Sequence, residues 1–277
     1  MGLLQRAVET YDAHQHLVGK NLDGHETLAP ICHIVTRADL EITLDETGSF
    51  SQARAVDKSE PKILMPVTAD SGGRTSSPCA HPLCDQLAYV APYDEKRHPL
   101  YVHQLELWAA SLHSHPFLLP ILRYVQSGTI LEDLRESGLI QLDEKGTPTK
   151  EKLMIRWRVI GIEGEQCACW TNQHLFRSFI DWYQESQQES APALDMITGE
   201  TAAPAKQHPK GIIPINGNAK LISANDSHNF TYRGRFTDDT QAATVSYLVT
   251  PAQPQSMRQR KIDGVPAGKS STKVARL

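Results

Sequence analysis

Basic and aromatic side chains are concentrated in residues 196–236, in a mixture that could hold a nucleic-acid strand. Cations pair with phosphates and aromatic faces stack on bases, so this composition is typical of a nucleic-acid groove. The opposing carboxylates are Glu200 and Asp226. The basic and aromatic residues include Lys206, His208, Lys210, Lys220, Arg233, Arg235, Phe230, Tyr232 and Phe236. A solvated, glycine-rich connector between core strands has a similar composition, so both interpretations stay open at this point.

Cysteine and histidine side chains offer the ligand types of a zinc site, but not its spacing. Structural zinc sites favour two tight cysteine pairs, whereas here four residues separate the first pair and one residue separates the second. Buried thiols and a capping histidine account for the same residues, so we predict no bound metal and no cofactor. The residues concerned are Cys79, His81, Cys84, Cys167 and Cys169.

Candidate acid–base groups are present, but nothing in the sequence orients them. His208, Glu200 and Lys220 could form the cluster of a nuclease, yet they lie far apart in a loop-rich stretch. Two histidine pairs have i, i+2 spacing on predicted helices, so their members should point to different faces and lie on the surface. These pairs are His14 with His16 and His113 with His115. No nucleotide-binding loop, nucleophile elbow or zinc-protease motif occurs, and we predict no enzymatic activity.

Composition limits the partners and the compartment. The 277 residues contain 28 lysines and arginines and 32 acidic residues, a formal net charge of −4, so nucleic-acid binding must come from a local surface. Hydrophobic residues make up 40% of the chain, which is enough for a substantial core. Five cysteines without a long apolar run or a charged leader predict a cytoplasmic protein with no membrane partner.

The elements that must position these residues predict an α+β fold, with mixed, largely antiparallel sheet regions, packed helices and a loop-rich basic segment. Strand patterns occur at 31–35, 39–44 and 49–55, with a further candidate at 62–67. The turn sequence at 45–48 joins the second strand to the third. These segments predict one small antiparallel sheet.

Helical periodicity predicts a helix at 3–17 and two helices within 98–127, broken near Pro116 and Pro120. A further helix runs from a cap at Thr171 to residue 188. Residues 153–160 alternate between apolar and basic side chains, which predicts a half-buried strand.

Arg156 and Arg158 form the basic face of that strand; they could contact a phosphate, but solvated charges are the favoured interpretation. The chain divides into an amino-terminal α+β domain at 1–190, a basic segment at 191–250 and a basic tail at 251–277. We predict that the tail, which lacks aromatic residues, is disordered.

Four sequence blocks in the basic segment resemble one protein family. They are T-G-E at 198–200, H-P-K-G at 208–211, the block at 219–226 and F-T-Y-R-G-R-F at 230–236. Their order and separation are similar to the central signature of the large subunit of the CRISPR type I-C Cascade surveillance complex. Many members carry a cysteine where this chain has Met196, so any role of that thiol is absent.

The resemblance implies a non-catalytic subunit that recognises the protospacer-adjacent motif in target double-stranded DNA and helps to open it beside the CRISPR RNA. Implied partners are the CRISPR RNA, the backbone, capping and small subunits of the complex, and a helicase-nuclease recruited after target binding. Guide pairing supplies most sequence specificity in such systems, so the protein needs a small reader and a cationic surface.

The loop at 68–80 and the following H-P-L-C-D at 81–85 also resemble an early signature of this family. Arg74 with Thr75 and Ser76 is therefore the candidate motif reader, and Asn225 is the second candidate. The candidate phosphate-binding residues are Lys206, Lys210, Lys220, Arg233 and Arg235, with His208 in the same surface. Without the resemblance, such a loop is more often a surface connection.

Two alternative functions remain from the sequence. One is a metal-independent nuclease or RNA-processing enzyme that uses His208, and the other is a purely structural assembly subunit. The resemblance covers residues 1–250, and family members run to about twice the length of this chain. A truncation or frameshift after residue 250 is the expected explanation.

Overall fold

A three-stranded mixed sheet lies at the centre of the fold. The computed structural model describes residues 2–20, 27–72, 74, 77–187, 192–205, 222, 244–246 and 249. In the central sheet, β2 (Leu40–Leu44) pairs antiparallel with β3 (Phe50–Ala55) and parallel with β5 (Ile155–Val159). The strand order is therefore β3-β2-β5.

The predicted turn between β2 and β3 is confirmed. The Asp45 carboxylate accepts hydrogen bonds from the backbone amides of Thr47 at 2.9 Å and Ser49 at 2.8 Å. Gly48 has a φ of 93°, and a Cβ there would lie 2.6 Å from the carbonyl oxygen of Pro120. Only glycine fits this position without strain, because both the conformation and the space exclude a side chain.

The prediction of a single antiparallel sheet is wrong for the first strand. β1 (His33–Thr36) pairs antiparallel with β4 (Ile63–Pro66) in a separate two-stranded sheet. The central β2 already has a neighbour on each edge, so β1 has no free edge of β2 to join. A third pair, β6 (Ala193–Leu194) with β7 (Thr201–Ala202), is also antiparallel.

Helices cover the central sheet and connect its strands. They are α1 (Leu3–Ala13) with a 3-10 turn at Gln15–Leu17, α2 (Ala69–Gly72), α3 (Leu87–Val90), α4 (His98–Ala109), α5 (Leu118–Ser127), α6 (Ile130–Glu136) and α7 (Gln173–Ser186). The two helices predicted within 98–127 are confirmed as α4 and α5. The break lies at 110–117, and Pro120 lies in the first turn of α5, where its missing amide hydrogen costs no helical hydrogen bond.

The cap of α7 differs from the prediction. Asn172, not Thr171, is the N-cap residue, and its side-chain oxygen accepts a hydrogen bond from the Leu175 amide at 2.9 Å. The Thr171 hydroxyl instead donates to the Ala168 carbonyl oxygen at 3.2 Å. The helix ends at Ser186, close to the predicted residue 188.

The main core lies between the central sheet and helices α4, α5 and α7. Trp108, Trp157, Phe117 and Phe179 are fully buried there. The indole of Trp108 packs against the Phe179 ring with 5.1 Å between ring centroids. This architecture confirms the predicted α+β class.

Two further predictions concern the domain boundaries and the carboxy-terminal tail. The domain division at residues 190 and 250 stays a prediction, and the tail at 251–277 lies outside the described residues. Within the described part of the chain, no helix has the length and apolar character needed to cross a membrane.

Candidate nucleic-acid interface

Arg74, the candidate reader, is held inside the loop that carries it. Its two terminal nitrogens donate to the Asp85 carboxylate at 2.8 and 2.5 Å, and one of them also donates to the Cys79 carbonyl oxygen at 2.7 Å. The guanidinium carbon lies 4.3 Å from the centre of the Tyr89 ring, and only 15% of the side chain is exposed. Arg74 therefore holds the loop in place in this conformation.

Asp85 is the centre of this arrangement. The residue is fully buried, and its carboxylate also accepts hydrogen bonds from the backbone amides of His81 and Gln86, both at 2.7 Å. Arg74 supplies a full counter-charge, which makes burial of the carboxylate possible. We name the residues that hold this loop, Arg74, Asp85 and the amides of His81 and Gln86, the Asp85 anchor.

The neighbours of Arg74 in the predicted reader are Thr75 and Ser76, and both lie outside the described residues. The Asp85 anchor holds the chain directly before them, at Arg74, and five residues after Ser76, at His81. Motif reading by Arg74 stays a prediction. In this structure both terminal nitrogens of Arg74 are already bonded within the protein, to Asp85 and Cys79.

A second buried aspartate, Asp195, holds both ends of the basic segment together. Its carboxylate accepts hydrogen bonds from the amides of Ile197 at 2.7 Å, Thr198 at 3.1 Å and Ser246 at 2.6 Å. The T-G-E block at 198–200 thus forms the tight turn between β6 and β7, with Gly199 at a φ of 76°. We name this set of contacts the Asp195 anchor.

Backbone hydrogen bonds extend the Asp195 anchor. The Met196 amide donates to the Thr244 carbonyl oxygen and the Ala205 amide donates to the Val245 carbonyl oxygen, each at 2.8 Å. The chain therefore leaves the anchor at residue 205 and returns to it at residue 244. The predicted nucleic-acid residues between these points, Lys206, His208, Lys210, Lys220, Asn225, Arg233 and Arg235, lie outside the described residues.

The pKa of Asp195 is set by two opposing effects. Burial raises the pKa. Hydrogen bonds from the hydroxyl and amide of Ser246 and from the amides of Ile197 and Thr198 lower it by a larger amount, so the net direction is downward. Among the described residues, the groups that stabilise the ionised form are these hydrogen-bond donors.

Sequence analysis did not find a cluster of arginines on the face of the central sheet opposite the core. The prediction that Arg156 is solvated is wrong, because only 2% of its side chain is exposed. Its guanidinium donates to Glu41 at 2.8 and 2.5 Å and to Glu60 at 2.5 Å. Arg54 bonds the same two carboxylates, and Arg158 donates through Nε to Glu41 at 2.9 Å.

The lone carboxylate in the apolar β2 sequence L-E-I-T-L was the available signal for this cluster. A glutamate flanked by apolar residues on a central strand must find cations once both faces of the strand are covered. Burial raises the pKa of Glu41, but hydrogen bonds from Arg158, Arg156 and Arg54 lower it more, and the net direction is downward. The pKa of Glu60 is lowered by hydrogen bonds from Arg54 and Arg156.

Trp170 and a cavity complete this cluster. The indole lies over the guanidinium carbons of Arg156 at 3.9 Å and Arg158 at 5.2 Å. The adjoining cavity has a volume of about 180 Å³. It is lined by Gly19, Thr27, Arg54, Glu60, Pro61, Lys62, Leu64, Arg156, Arg158, Trp170 and Thr171.

The remaining candidate residues have mainly structural contacts. His14 and His16 do not diverge, because α1 ends before them and their rings stack with centroids 6.4 Å apart. His115 is buried beside Phe117, so the prediction that it lies on the surface is wrong. Its Nε2 atom lies 3.5 Å from the Glu165 carboxylate.

The cysteines are free thiols. Burial raises the pKa of the Cys84 thiol to about 12. The His81 imidazole lies 3.0 Å from the Ser71 hydroxyl, and burial lowers its pKa to about 4. Within the described ranges, no group of three histidine, cysteine, aspartate or glutamate side chains has an arrangement that could hold a metal.

A comparison with protein-family models matches residues 8–259 to the family described as CRISPR-associated protein (Cas_Csd1). The matched range contains the Asp85 anchor, the Asp195 anchor and the arginine cluster. No curated protein gives a significant match.

Proposed function

The chain belongs to the Csd1 family of CRISPR-associated proteins, and we propose from this membership that it is the non-catalytic large subunit of a type I-C surveillance complex. In this role it recognises the protospacer-adjacent motif in double-stranded DNA and supports opening of the duplex beside the CRISPR RNA. The single observation that carries the proposal is the family match over residues 8–259. The proposed location is the cytoplasm.

The two anchors support a role in holding nucleic acid. The Asp85 anchor fixes both ends of residues 75–80, while the Asp195 anchor fixes both ends of residues 206–243. Loops held on a rigid base are the usual carriers of recognition residues, because the base limits the conformational entropy that binding must overcome. We therefore assign base-edge contacts to Thr75 and Ser76, positioned by Arg74.

In this proposal, phosphate contacts belong to residues 206–243. Lys206, Lys210, Lys220, Arg233 and Arg235 would hold the separated strands, with His208 and Asn225 beside them. The partners are the CRISPR RNA, the backbone, capping and small subunits, the target duplex and a helicase-nuclease that acts after target binding. Base pairing with the guide supplies most of the sequence specificity.

The test uses the full chain assembled with the other subunits and CRISPR RNA. Its probe is a pool of guide-matched duplexes in which the base pairs flanking the target are randomised. Enrichment of a short flanking motif is the expected result. Enrichment of no sequence, with intact assembly, would overturn motif recognition and leave the structural alternative.

A variant series then locates the reader. Thr75→Val or Ser76→Ala should reduce binding about tenfold on the enriched motif and little on other flanks, as expected for one lost base-edge contact. Thr149→Val, which changes an exposed threonine outside the loop, is the matched control. Equal losses on all flanks would remove these residues as readers.

The same complex tests the enzymatic alternative. Incubation of labelled RNA and DNA with the complex, without the helicase-nuclease, should leave both intact. Cleavage that disappears in His208→Ala would replace the non-catalytic proposal with a nuclease.

A further inference from the structure

We infer that the cavity beside the arginine cluster is a binding site for a backbone phosphate of a single nucleic-acid strand. The cavity lies on the face of the central sheet opposite the core, beside β3, β5 and Trp170. The identity of the ligand as a nucleic-acid strand rests on the proposed function, whereas the preference for a phosphate follows from the side chains.

Charge gives the first argument. The cations at the described wall of the cavity are Arg54, Lys62, Arg156 and Arg158, and the opposing carboxylates are Glu41 and Glu60. Four positive charges against two negative charges leave an excess of two. Both carboxylates are already bonded by arginines, so neither can neutralise a further cation. An anion is the ligand that corrects this imbalance.

Unused donors give the second argument. Arg158 bonds Glu41 through Nε only, and its two terminal nitrogens have no hydrogen-bond partner among the described residues. The exposed Lys62 likewise has no ion-pair partner within the part of the chain that the structure describes. A guanidinium fork beside an ammonium group matches the geometry and charge of a phosphate.

Preorganisation gives the third argument. Arg156 is buried and bonded to both carboxylates, and the Trp170 ring covers it at 3.9 Å. Arg158 lies against the same ring and the same Glu41. Its side chain is thereby held before a ligand arrives, which lowers the entropy cost of binding.

Trp170 also favours a nucleic-acid strand over free phosphate or a lipid headgroup. The indole is only partly buried and lines the cavity. An aromatic surface next to a phosphate site can stack on a base, and such stacking is independent of sequence. The site thus suits a strand that has already left its duplex.

The experiment measures binding of fluorescein-labelled single strands of about 15 nucleotides, the upper range of one such site, to the full chain at several salt concentrations. DNA and RNA strands of the same mixed sequence form two arms. Inorganic pyrophosphate and vesicles of anionic phospholipid are the competitors. We expect a strand to bind and each competitor to displace it only weakly.

Two variants change the donors that the cavity offers to a phosphate, and of these Arg158→Lys also removes the Nε hydrogen bond to Glu41. Lys62→Gln should weaken binding and lower the salt slope by about 0.7, the value for one phosphate contact on a single strand. Arg158→Lys keeps the charge but loses the fork, so we expect about tenfold weaker binding with little change in slope.

Arg177→Gln is the matched control, since Arg177 is 79% exposed on α7 and pairs only with Asp181 among the described residues. Its binding should equal that of the parent chain. Melting temperatures of all variants establish that they fold, and Lys62→Gln keeps the test valid if Arg158→Lys is unstable.

Unchanged binding in both cavity variants would overturn the inference, as would equal losses in the Arg177→Gln control. Effective displacement by pyrophosphate alone would overturn the assignment to a strand. Motif enrichment by the assembled complex is a separate measurement. If enrichment persists while the cavity variants bind normally, the phosphate site is wrong and the proposed function stands.

Discussion

The Asp85 anchor and the Asp195 anchor solve the same problem with different chemistry. Each buries a carboxylate at the base of a segment that carries predicted nucleic-acid residues. Asp85 is paired with the guanidinium of Arg74, whereas Asp195 is bonded by the amides of Ile197, Thr198 and Ser246. The Asp85 anchor therefore depends on an ion pair, whereas the Asp195 anchor depends on the path of the backbone.

This difference determines how each anchor should respond when its aspartate loses the negative charge. Loss of the charge at residue 85 leaves the partly buried Arg74 guanidinium without a counter-ion. Loss of the charge at residue 195 affects only neutral donors, and an amide oxygen can still accept some of their hydrogen bonds. The same Asp→Asn substitution therefore tests the comparison directly.

Asp85→Asn should cause the largest effect, a loss of about 3–5 kcal/mol in the free energy of unfolding, because the Arg74 guanidinium loses its counter-charge inside the protein. Urea denaturation followed by tryptophan fluorescence gives this quantity. The double variant Arg74→Met, Asp85→Asn should recover part of the loss, since it removes the unpaired cation. A double variant that is no more stable than Asp85→Asn alone would contradict the dependence of the Asp85 anchor on charge.

Acid should loosen the Asp85 anchor before the Asp195 anchor. At pH 5, the cost of protonating His81 should lower the free energy of unfolding by about 2 kcal/mol. Burial lowers the pKa of His81 to about 4, below its ordinary value of about 6.5. Between these values the unfolded chain binds the proton more strongly, so stability falls as pH decreases from about 6.5 to about 4.

Asp195 has a lowered pKa, so its contribution is present above the ordinary carboxyl value of about 3.9 and is lost only at lower pH. The measurement is denaturant unfolding from pH 7 to pH 4.5. His81→Gln should flatten this dependence in part, because His33, His98 and His115 also have pKa values lowered by burial and maintain the rest. The exposed His174→Gln is the control, and an equal flattening there would contradict the assignment.

Asp195→Asn should have the smallest effect, about 1 kcal/mol, because the amide oxygen keeps the turn contacts and no cation is stranded. The loss should be local. Hydrogen exchange at the amides of Ile197, Thr198 and Ser246 should become faster, while that of the Leu175 amide in the α7 cap stays unchanged. A loss as large as that of Asp85→Asn would remove the distinction between the two anchors.

Local elements were predictable from the sequence because their causes are local. The β2–β3 turn needs a glycine at residue 48, and the apolar periodicity of α4, α5 and α7 requires no distant partner. The cap of α7 was displaced by one residue because adjacent Thr171 and Asn172 are both good caps. Geometry alone decides between them.

Long-range pairs were not predictable. Alternating arginines on β5 have the same pattern whether water or glutamate faces them, and Glu41 lies 115 residues before Arg156. Arg74 was assigned to the ligand for the same reason, since nothing in the loop sequence identifies Asp85 as its partner. Sequence patterns locate charged residues, but the fold decides which charges remain for a ligand.

The parallel pairing of β5 with β2 ties completion of the central sheet to the timing of protein synthesis. After Glu41 the ribosome must add 115 residues to reach Arg156, which takes about 6–23 seconds at typical bacterial and eukaryotic speeds. During this interval the nascent β2 has one open edge, which can pair with another chain. Slow translation of residues 56–154 therefore lengthens the period in which two growing copies can aggregate.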